Sequence, residues 1–380
     1  MIGDRNELFS LDPEVAHLNN GSFGAVPRQV QRAQDLLRAE MDRNPMRFFT
    51  RGLPARIADA RRQVADFLGA APGLTALLPN VTAATSVALG TIDLGPGEEV
   101  LVTDHGYAAV TSACARRCRE AGATLTEVSI PFAATDDEVT AAMLGAVGPR
   151  TRLAVVDHVT SHTARTLPVR RLCAELARAG VAVLVDAAHA PGMLPEPVAG
   201  TGADFWIGNL HKWAFSPRSV AALVVAPRWR SSVRPLALSY EDSMGFPAAV
   251  EWQGTLDYTA LLAAPAGLAM LAELGLPAMR RHNSALAAYG QRVVAEALDL
   301  DPAGLPGEEA LAMRVIPLPV AAAPDEASAV ALRERIADEL RCEVALNFWR
   351  GRPLLRLSAQ VYNDEADFDR LAAGLPGLLR

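Results

Sequence analysis

The sequence predicts an α/β protein built on a mostly parallel sheet, followed by a smaller α+β domain. Two observations carry this expectation. Between about residues 75 and 226, short apolar runs rich in β-branched residues alternate with amphipathic stretches, and strands buried on both faces read as such continuous runs. Beyond residue 255 the pattern changes to long helices rich in alanine and leucine, then to a mixed tail. A length of 380 residues exceeds one ordinary core and suits a large domain with a smaller one attached.

Taken in order, "TALLP" leads into the helical "VTAATSVALGTI", and "EEVLVTD" into "AAVTSACARRCREAG". "TLTEVSI" precedes "DDEVTAAMLGAVG", and "RLAVVDHV" precedes "VRRLCAELARAG". "VAVLVDAA", "ADFWIGN" and "VAALVVAP" complete a seven-stranded sheet. The glycines in "EAGAT" and "RAGVA" read as helix C-caps before the next strand. The last three apolar runs leave no room for full helices between them, which predicts hairpin-like or irregular connections there. Helical patterns then run to about residue 299. The tail mixes the strands "AMRVIPL" and "LLRLSAQV" with the helices "EASAVALRERIADEL" and "EADFDRLAAGL". The expected division is an N-terminal arm (1–16), a large domain (17–260), and a connecting helix with a small C-terminal domain (261–380).

Composition narrows the function. Half of the residues are apolar and 21% are charged, as in an ordinary globular enzyme. A net charge of −7 leaves no basic surplus to neutralise phosphates, so no nucleic-acid partner is expected. The longest apolar stretch, "ALLAAPAGLAMLA" (260–272), is too short for a bilayer and contains proline and glycine. "MIGDRNELFSLDPEV" shows no signal peptide. Four cysteines are too few for a disulfide scaffold. Cys114 and Cys118 share a helix face but have no second ligand pair, so no metal is expected. A cytoplasmic enzyme is the expectation.

"GNLHKWAF" (208–215) sets Lys212 between two apolar runs, where an ammonium is costly to bury. A lysine that must be neutral to react has a reason to stay there. "VLVDAAH" ends another buried strand with Asp186, and His189 follows three residues on. A buried aspartate needs a positive or donating partner. "ALLPNVTAAT" turns from strand to helix, with Thr82 and the amides of Thr82 and Ala83 expected to face outward, and helix N-termini bind phosphate. A phosphate acceptor, a buried carboxylate and a reactive lysine together describe a site for pyridoxal 5′-phosphate. The plainer alternatives are a structural Lys212–Asp186 ion pair, core histidines at 189 and 211, a merely packed Tyr107, and a salt-bridged Arg356. Trp213, beside the lysine, reads as packing.

"HLNNGSFGAVP" (17–27), "RFF" (47–49), "LLPNVTAAT" (77–85), "TDHGYAAV" (103–110), "DHVTSHTARTLPV" (157–169), "VDAAHAPG" (185–192), "GNLHKW" (208–213), "QGTLDY" (253–258) and "LLRLSAQVYN" (354–363) occur in that order. Together they resemble the class V aminotransferase family of fold-type I pyridoxal-phosphate enzymes, most nearly its isopenicillin-N-epimerase-like branch. The resemblance implies that Lys212 carries the cofactor's aldehyde and later moves the Cα proton. Asp186 would face the pyridinium nitrogen, and His189 the phenolic oxygen with Ser161 as a second contact. Thr82, Ala83, His211 and Asn209 would hold the phosphate, joined by Gly254 and Thr255 of a neighbouring subunit, which implies a homodimer. Tyr107 would stack on the ring, with His105 as its rival. Arg356 would clamp the substrate carboxylate, and Asn20 with "GSFG" would line the entrance.

The cofactor accepts electrons from any bond at Cα, so the family resemblance leaves the reaction open. The desulfurases of the family need a nucleophilic cysteine on a mobile loop; Cys342, in the strand-like "LRCEVALNFW", does not suit that role. Leu256 stands where the epimerase-like branch usually has arginine, and His162 where it usually has proline. β-Elimination with C–S cleavage of an S-substituted cysteine is therefore the first expectation, with epimerisation and transamination behind it. An inactive cofactor-binding homologue is the remote alternative.

Overall fold

The structure, a computed structural model, describes residues 5–379. The first four residues of the expected N-terminal arm lie outside the described residues. Contacts divide the chain into two compact units. One holds Gln29–Thr160 and Thr166–Ala269, the other the residues through Arg28, Ser161–Arg165 and Met270–Arg380. This differs from the expected boundaries, because residues 17–28 and 161–165 cluster with the C-terminal unit and 261–269 with the sheet unit. In the C-terminal unit, Ala16 and His17 pair in parallel with Cys342 and Glu343, which ties the N-terminal segment to distant sequence.

The sheet unit has the seven strands expected: β1 (Thr75–Leu78), β2 (Glu99–Thr103), β3 (Thr124–Val128), β4 (Thr151–Asp157), β5 (Ala182–Asp186), β6 (Phe205–Asn209) and β7 (Ala221–Val225). Their order is β1-β7-β6-β5-β4-β2-β3, and β7 alone runs against its neighbours. The reversal follows from the short 210–220 connection, since a parallel crossover needs a dozen or more residues. Strands β5, β6 and β7 are buried at every position, which explains their unbroken apolar runs. Edge strand β3 instead carries Thr124 and Glu127 to solvent, where charge discourages a further strand.

Alternate strand residues fill one face: Val100, Val102, Leu153, Val155, Leu184 and Ile207 pack with α3 (Val81–Thr91) and α4 (Ala108–Ala121), counting Arg28–Arg43 and Leu53–Leu68 as α1 and α2. Truncating one such side chain to alanine typically costs about 2–5 kcal/mol. Helices α5 (Asp136–Gly145) and α6 (Val169–Arg178) continue the alternation. A Thr135–Glu138 capping box starts α5, and Gly122, at φ 67°, closes α4 in the left-handed conformation expected of "EAGAT". Cys114 and Cys118 on α4 lie in this core, and burial pushes the Cys114 thiol up to about 12.

The apolar pattern after residue 255 becomes α7 (Thr259–Leu274) and α8 (Leu276–Ala297), broken at Gly275. No single described helix is long and apolar enough to cross a membrane. In the C-terminal unit, β8 (Met313–Pro317), β9 (Ala345–Trp349) and β10 (Arg352–Ser358) form an antiparallel sheet of order β9-β10-β8. Leu355 and Leu357 of β10 share a core with Phe368 and Leu371 of α10 (Glu365–Leu378) and with Leu332 and Ile336 of α9 (Glu326–Leu340).

Candidate active site

The carboxyl ends of parallel strands gather the chemistry of the sheet unit, as open α/β sheets generally do. Asp186 ends β5 at 3% exposure, and Asn209 ends β6. One helical turn, Leu210–Trp213, then carries His211 and Lys212. Gly192, at φ 87°, presses so closely on the Trp213 carbonyl that a side chain there would displace this turn. That contact gives the last glycine of "VDAAHAPG" a physical reason.

Asp186 is held by one backbone donor, Ala188 N–H at 3.0 Å. Burial raises its carboxyl above the ordinary range, and the Ala188 N–H and the Lys212 charge pull the other way. Beside it, Asp157 ends β4 in direct register with Asp186. Burial pushes the Asp157 carboxyl well up, and the Asp186 charge pushes it further. Two buried carboxyls on adjacent strands do not both ionise cheaply, so burial and the Asp186 charge favour the protonated form of Asp157. Sequence reasoning assigned Asp157 no role. The signal was available, because "VVDHV" and "LVDAA" both end a buried strand on aspartate.

His189 is 2% exposed and lies between two partners. Its Nε2 is 3.4 Å from Lys212 Nζ, and its Nδ1 accepts the Trp213 indole N–H at 3.4 Å. Lys212 Nζ also stands 6.0 Å from the Tyr107 ring centroid. Tyr107, at the N-cap of α4, is 44% exposed, whereas His105 is fully buried and meets the Ile130 carbonyl through Nε2 at 3.0 Å. Tyr107 is therefore the aromatic side chain that approaches the lysine.

The N-terminus of α3 is more occupied than expected. Ala83 N–H donates to the Asn80 side chain at 2.9 Å, and Val81 N–H to Asn209 Oδ1 at 3.0 Å. The Ala83 amide is thus spent in the cap, and Asn209 ties β6 to the helix, which corrects the expectation of an outward Ala83 amide. Thr82 is exposed. His211 meets the Val220 carbonyl through Nδ1 at 3.1 Å, and burial lowers its pKa to about 4, with the Lys212 charge adding to the effect. Gly254, at φ 90°, and Thr255 sit on a turn anchored by Tyr258 O–H donating to the Gly254 carbonyl at 2.7 Å. Glu251 secures the start of the turn by accepting Leu77 N–H at 2.9 Å and pairing with Arg61.

The C-terminal unit carries a second constellation. Arg356, on β10 and 3% exposed, donates through one guanidinium nitrogen to Ser161 O at 2.8 Å and Oγ at 3.0 Å. Its other terminal nitrogen donates to Asn19 Oδ1 at 3.0 Å and Ser22 Oγ at 3.4 Å. These four acceptors are neutral, and they orient the guanidinium fork. Ser161, expected beside the cofactor, is engaged with Arg356 in this unit. Asn20, expected at an entrance, is instead buried at 3% exposure and accepts the Tyr362 O–H at 2.8 Å.

Residues 26–371 match the family described as "Aminotransferase class-V", and the chain belongs to that family. Among its relatives, isopenicillin N epimerase of Streptomyces clavuligerus is 34% identical, the alignment covering 97% of this chain and 96% of that one. A probable chloroplastic L-cysteine desulfhydrase of Arabidopsis thaliana is 30% identical, with 99% and 85% covered. Among solved structures, the cystine C-S lyase C-DES, in complex with its reaction product cysteine persulfide, superposes with a TM-score of 0.82 at 17% identity, covering 97% of this chain and 98% of that one. A C-DES mutant with glycine covalently linked to its PLP cofactor gives 0.81 at 20% identity, with 99% of each chain covered. At these identities the likeness speaks for the fold.

Proposed function

We propose that this chain is a pyridoxal 5′-phosphate enzyme acting on an α-amino acid, and that it cleaves the C–S bond of an S-substituted cysteine by β-elimination. The observation that carries the cofactor assignment is the grouping of Lys212 Nζ, 3.4 Å from His189, with the buried Asp186 carboxylate at the same sheet end. Asp186 is a buried acceptor with one backbone donor and suits a protonated ring nitrogen. Lys212 suits an aldehyde, and Thr82, exposed at a helix N-terminus, suits a phosphate. When bound, the cofactor supplies an electron sink for bonds at Cα. Lys212 would then move the Cα proton, and Asp186 would hold its charge toward the ring nitrogen. Tyr107, its ring centroid 6.0 Å from Lys212 Nζ, would cover a ring face, and His211 would contribute to the phosphate end. Arg356 takes the substrate carboxylate.

Two observations favour C–S cleavage over persulfide-forming desulfuration. Cys342 is fully buried in a short strand, and burial raises its thiol to about 11, so little thiolate forms. Desulfhydrases also stand among the relatives at 30% identity. Epimerisation is the second reading, supported by the 34% identical isopenicillin N epimerase. The test is a panel of L-cysteine conjugates and L-amino acids in deuterated water. C–S cleavage releases thiol, pyruvate and ammonia without a second substrate. Epimerisation returns deuterium-labelled material of both configurations and no thiol, which would replace the first reading by the second.

A homodimer in the cytoplasm completes the proposal. Leu238, Tyr240 and Met244 are 84%, 75% and 66% exposed, and Tyr240 packs against Trp252 beside the Gly254–Thr255 turn. Apolar exposure of this density supports an assembly surface, where Gly254 and Thr255 of one subunit complete the phosphate site of the other.

A further inference from the structure

Trp213 has a nearer task than packing. It is 1% exposed, and its indole N–H, which can only donate, points at His189 Nδ1 from 3.4 Å. Nδ1 must therefore present a lone pair, which leaves the single proton of a neutral imidazole on Nε2. Nε2 in turn faces Lys212 Nζ at 3.4 Å. An N–H facing an ammonium sets donor against donor, whereas an N–H facing a neutral amine meets its lone pair. We propose that Trp213 is a positioning residue that fixes the Nε2–H tautomer of His189 and so holds the Lys212 side chain as the neutral, nucleophilic amine.

Other groups near this lysine act in both directions. Asp186, from the end of β5, attracts the ammonium and opposes the effect. His211, on the same turn, is held neutral by its burial and by neighbouring positive charge, against its contact with the Val220 carbonyl. The Tyr107 ring, from the start of α4, presents its face at 6.0 Å and mildly favours a cation. Asp157 lies in register with Asp186, and burial with the Asp186 charge favours its protonated form. Asp186 and Tyr107 thus favour the charged lysine, and the Trp213–His189 chain opposes them. An amine must be unprotonated to attack an aldehyde, so the chain acts on cofactor capture before any turnover.

The tautomer claim stands on the two contacts alone, while the consequence for capture rests on the pyridoxal-phosphate reading. The experiment separates them. Full-length protein without cofactor is labelled with ¹⁵N-histidine, and the His189 ring nitrogens are assigned with a His189→Gln control. The expected result is a protonated Nε2 and a bare Nδ1. Trp213→Phe, and in parallel replacement of Trp213 by its benzothienyl isostere (which keeps the bulk and loses only the N–H), should shift the proton toward Nδ1. In both variants the pH midpoint of capture of pyridoxal 5′-phosphate should rise by about one unit, slowing capture at neutral pH about tenfold. An Nδ1-protonated His189 in the parent protein, or an unchanged tautomer in the isostere, overturns the proposal. A shifted tautomer with unchanged capture refutes the link to Lys212 and keeps the tautomer claim. Absence of capture by the parent protein refutes the cofactor reading alone.

Discussion

Replacing Asp157 with asparagine tests the claim that one of two adjacent strand-end carboxyls stays protonated. The substitution keeps shape and removes only the capacity to ionise. Asp157 is 5% exposed, lies in register with Asp186, and is pushed up first by burial and then by the Asp186 charge. If it is neutral, Asp157→Asn exchanges one buried neutral group for another, and the cost should stay near that of a single hydrogen bond, about 1 kcal/mol. If it were an ionised member of a buried pair, removing its charge would cost about 3–5 kcal/mol.

The pH dependence supplies a second, independent sign. A carboxyl whose pKa rises on folding binds its proton more tightly in the folded state. Its contribution to stability is complete below the unfolded value of about 3.9 and is lost as pH climbs through the raised folded value. Asp157→Asn removes this loss, so the variant should gain on the parent protein as pH rises, by at most about 1.4 kcal/mol per pH unit. Urea unfolding at several pH values between 4 and 8 reads both quantities, with equal m-values as the check on a common unfolded state. A variant destabilised by about 3–5 kcal/mol with no gain toward higher pH would refute the protonated carboxyl.

Lys212→Ala should leave the circular dichroism spectrum unchanged and abolish both the yellow absorbance of the loaded protein and its turnover, read by visible spectroscopy and product assay. Asp186→Ala should retain cofactor but lose on the order of a hundredfold or more in rate, since the charge at the ring nitrogen is lost. Arg356→Ala should cost about 2–4 kcal/mol in kcat/KM for an α-amino acid, and far less for an amine lacking the carboxylate. Sedimentation should show a dimer, and Leu238→Glu with Tyr240→Glu should yield monomer that loses cofactor on dialysis; full occupancy in that monomer would contradict a shared phosphate site.

Much of the fold was legible because its signals are local. The runs "VAVLVDAA" and "VAALVVAP" are apolar at every position, and β5 and β7 are buried at every position, so the pattern read directly as a two-sided core. The crowding of the last three strands likewise announced the reversed β7, since the 210–220 connection holds no crossover helix. Membership of residues 17–28 and 161–165 was not legible. It depends on Ala16 pairing with Cys342 and on Ser161 accepting from Arg356, both contacts between residues far apart in sequence.

The same distinction governs the site. Lys212 and Asp186 were visible because a charged residue at the end of an apolar strand violates the local pattern, and such violations mark functional positions. Trp213 violates nothing: an indole beside a buried sheet satisfies every expectation of packing, and its N–H acquires meaning only once His189, 24 residues away, is placed against it. Asp157 was hidden differently. A lone strand-end aspartate reads as a turn residue, and only the register that sets it beside Asp186 makes its proton a constraint. In both cases the chemistry belongs to a pair, and the fold decides the pair. A residue that tunes another's protonation can therefore be conventional in type and burial, and its effect is found by following each donor to the atom that must accept it.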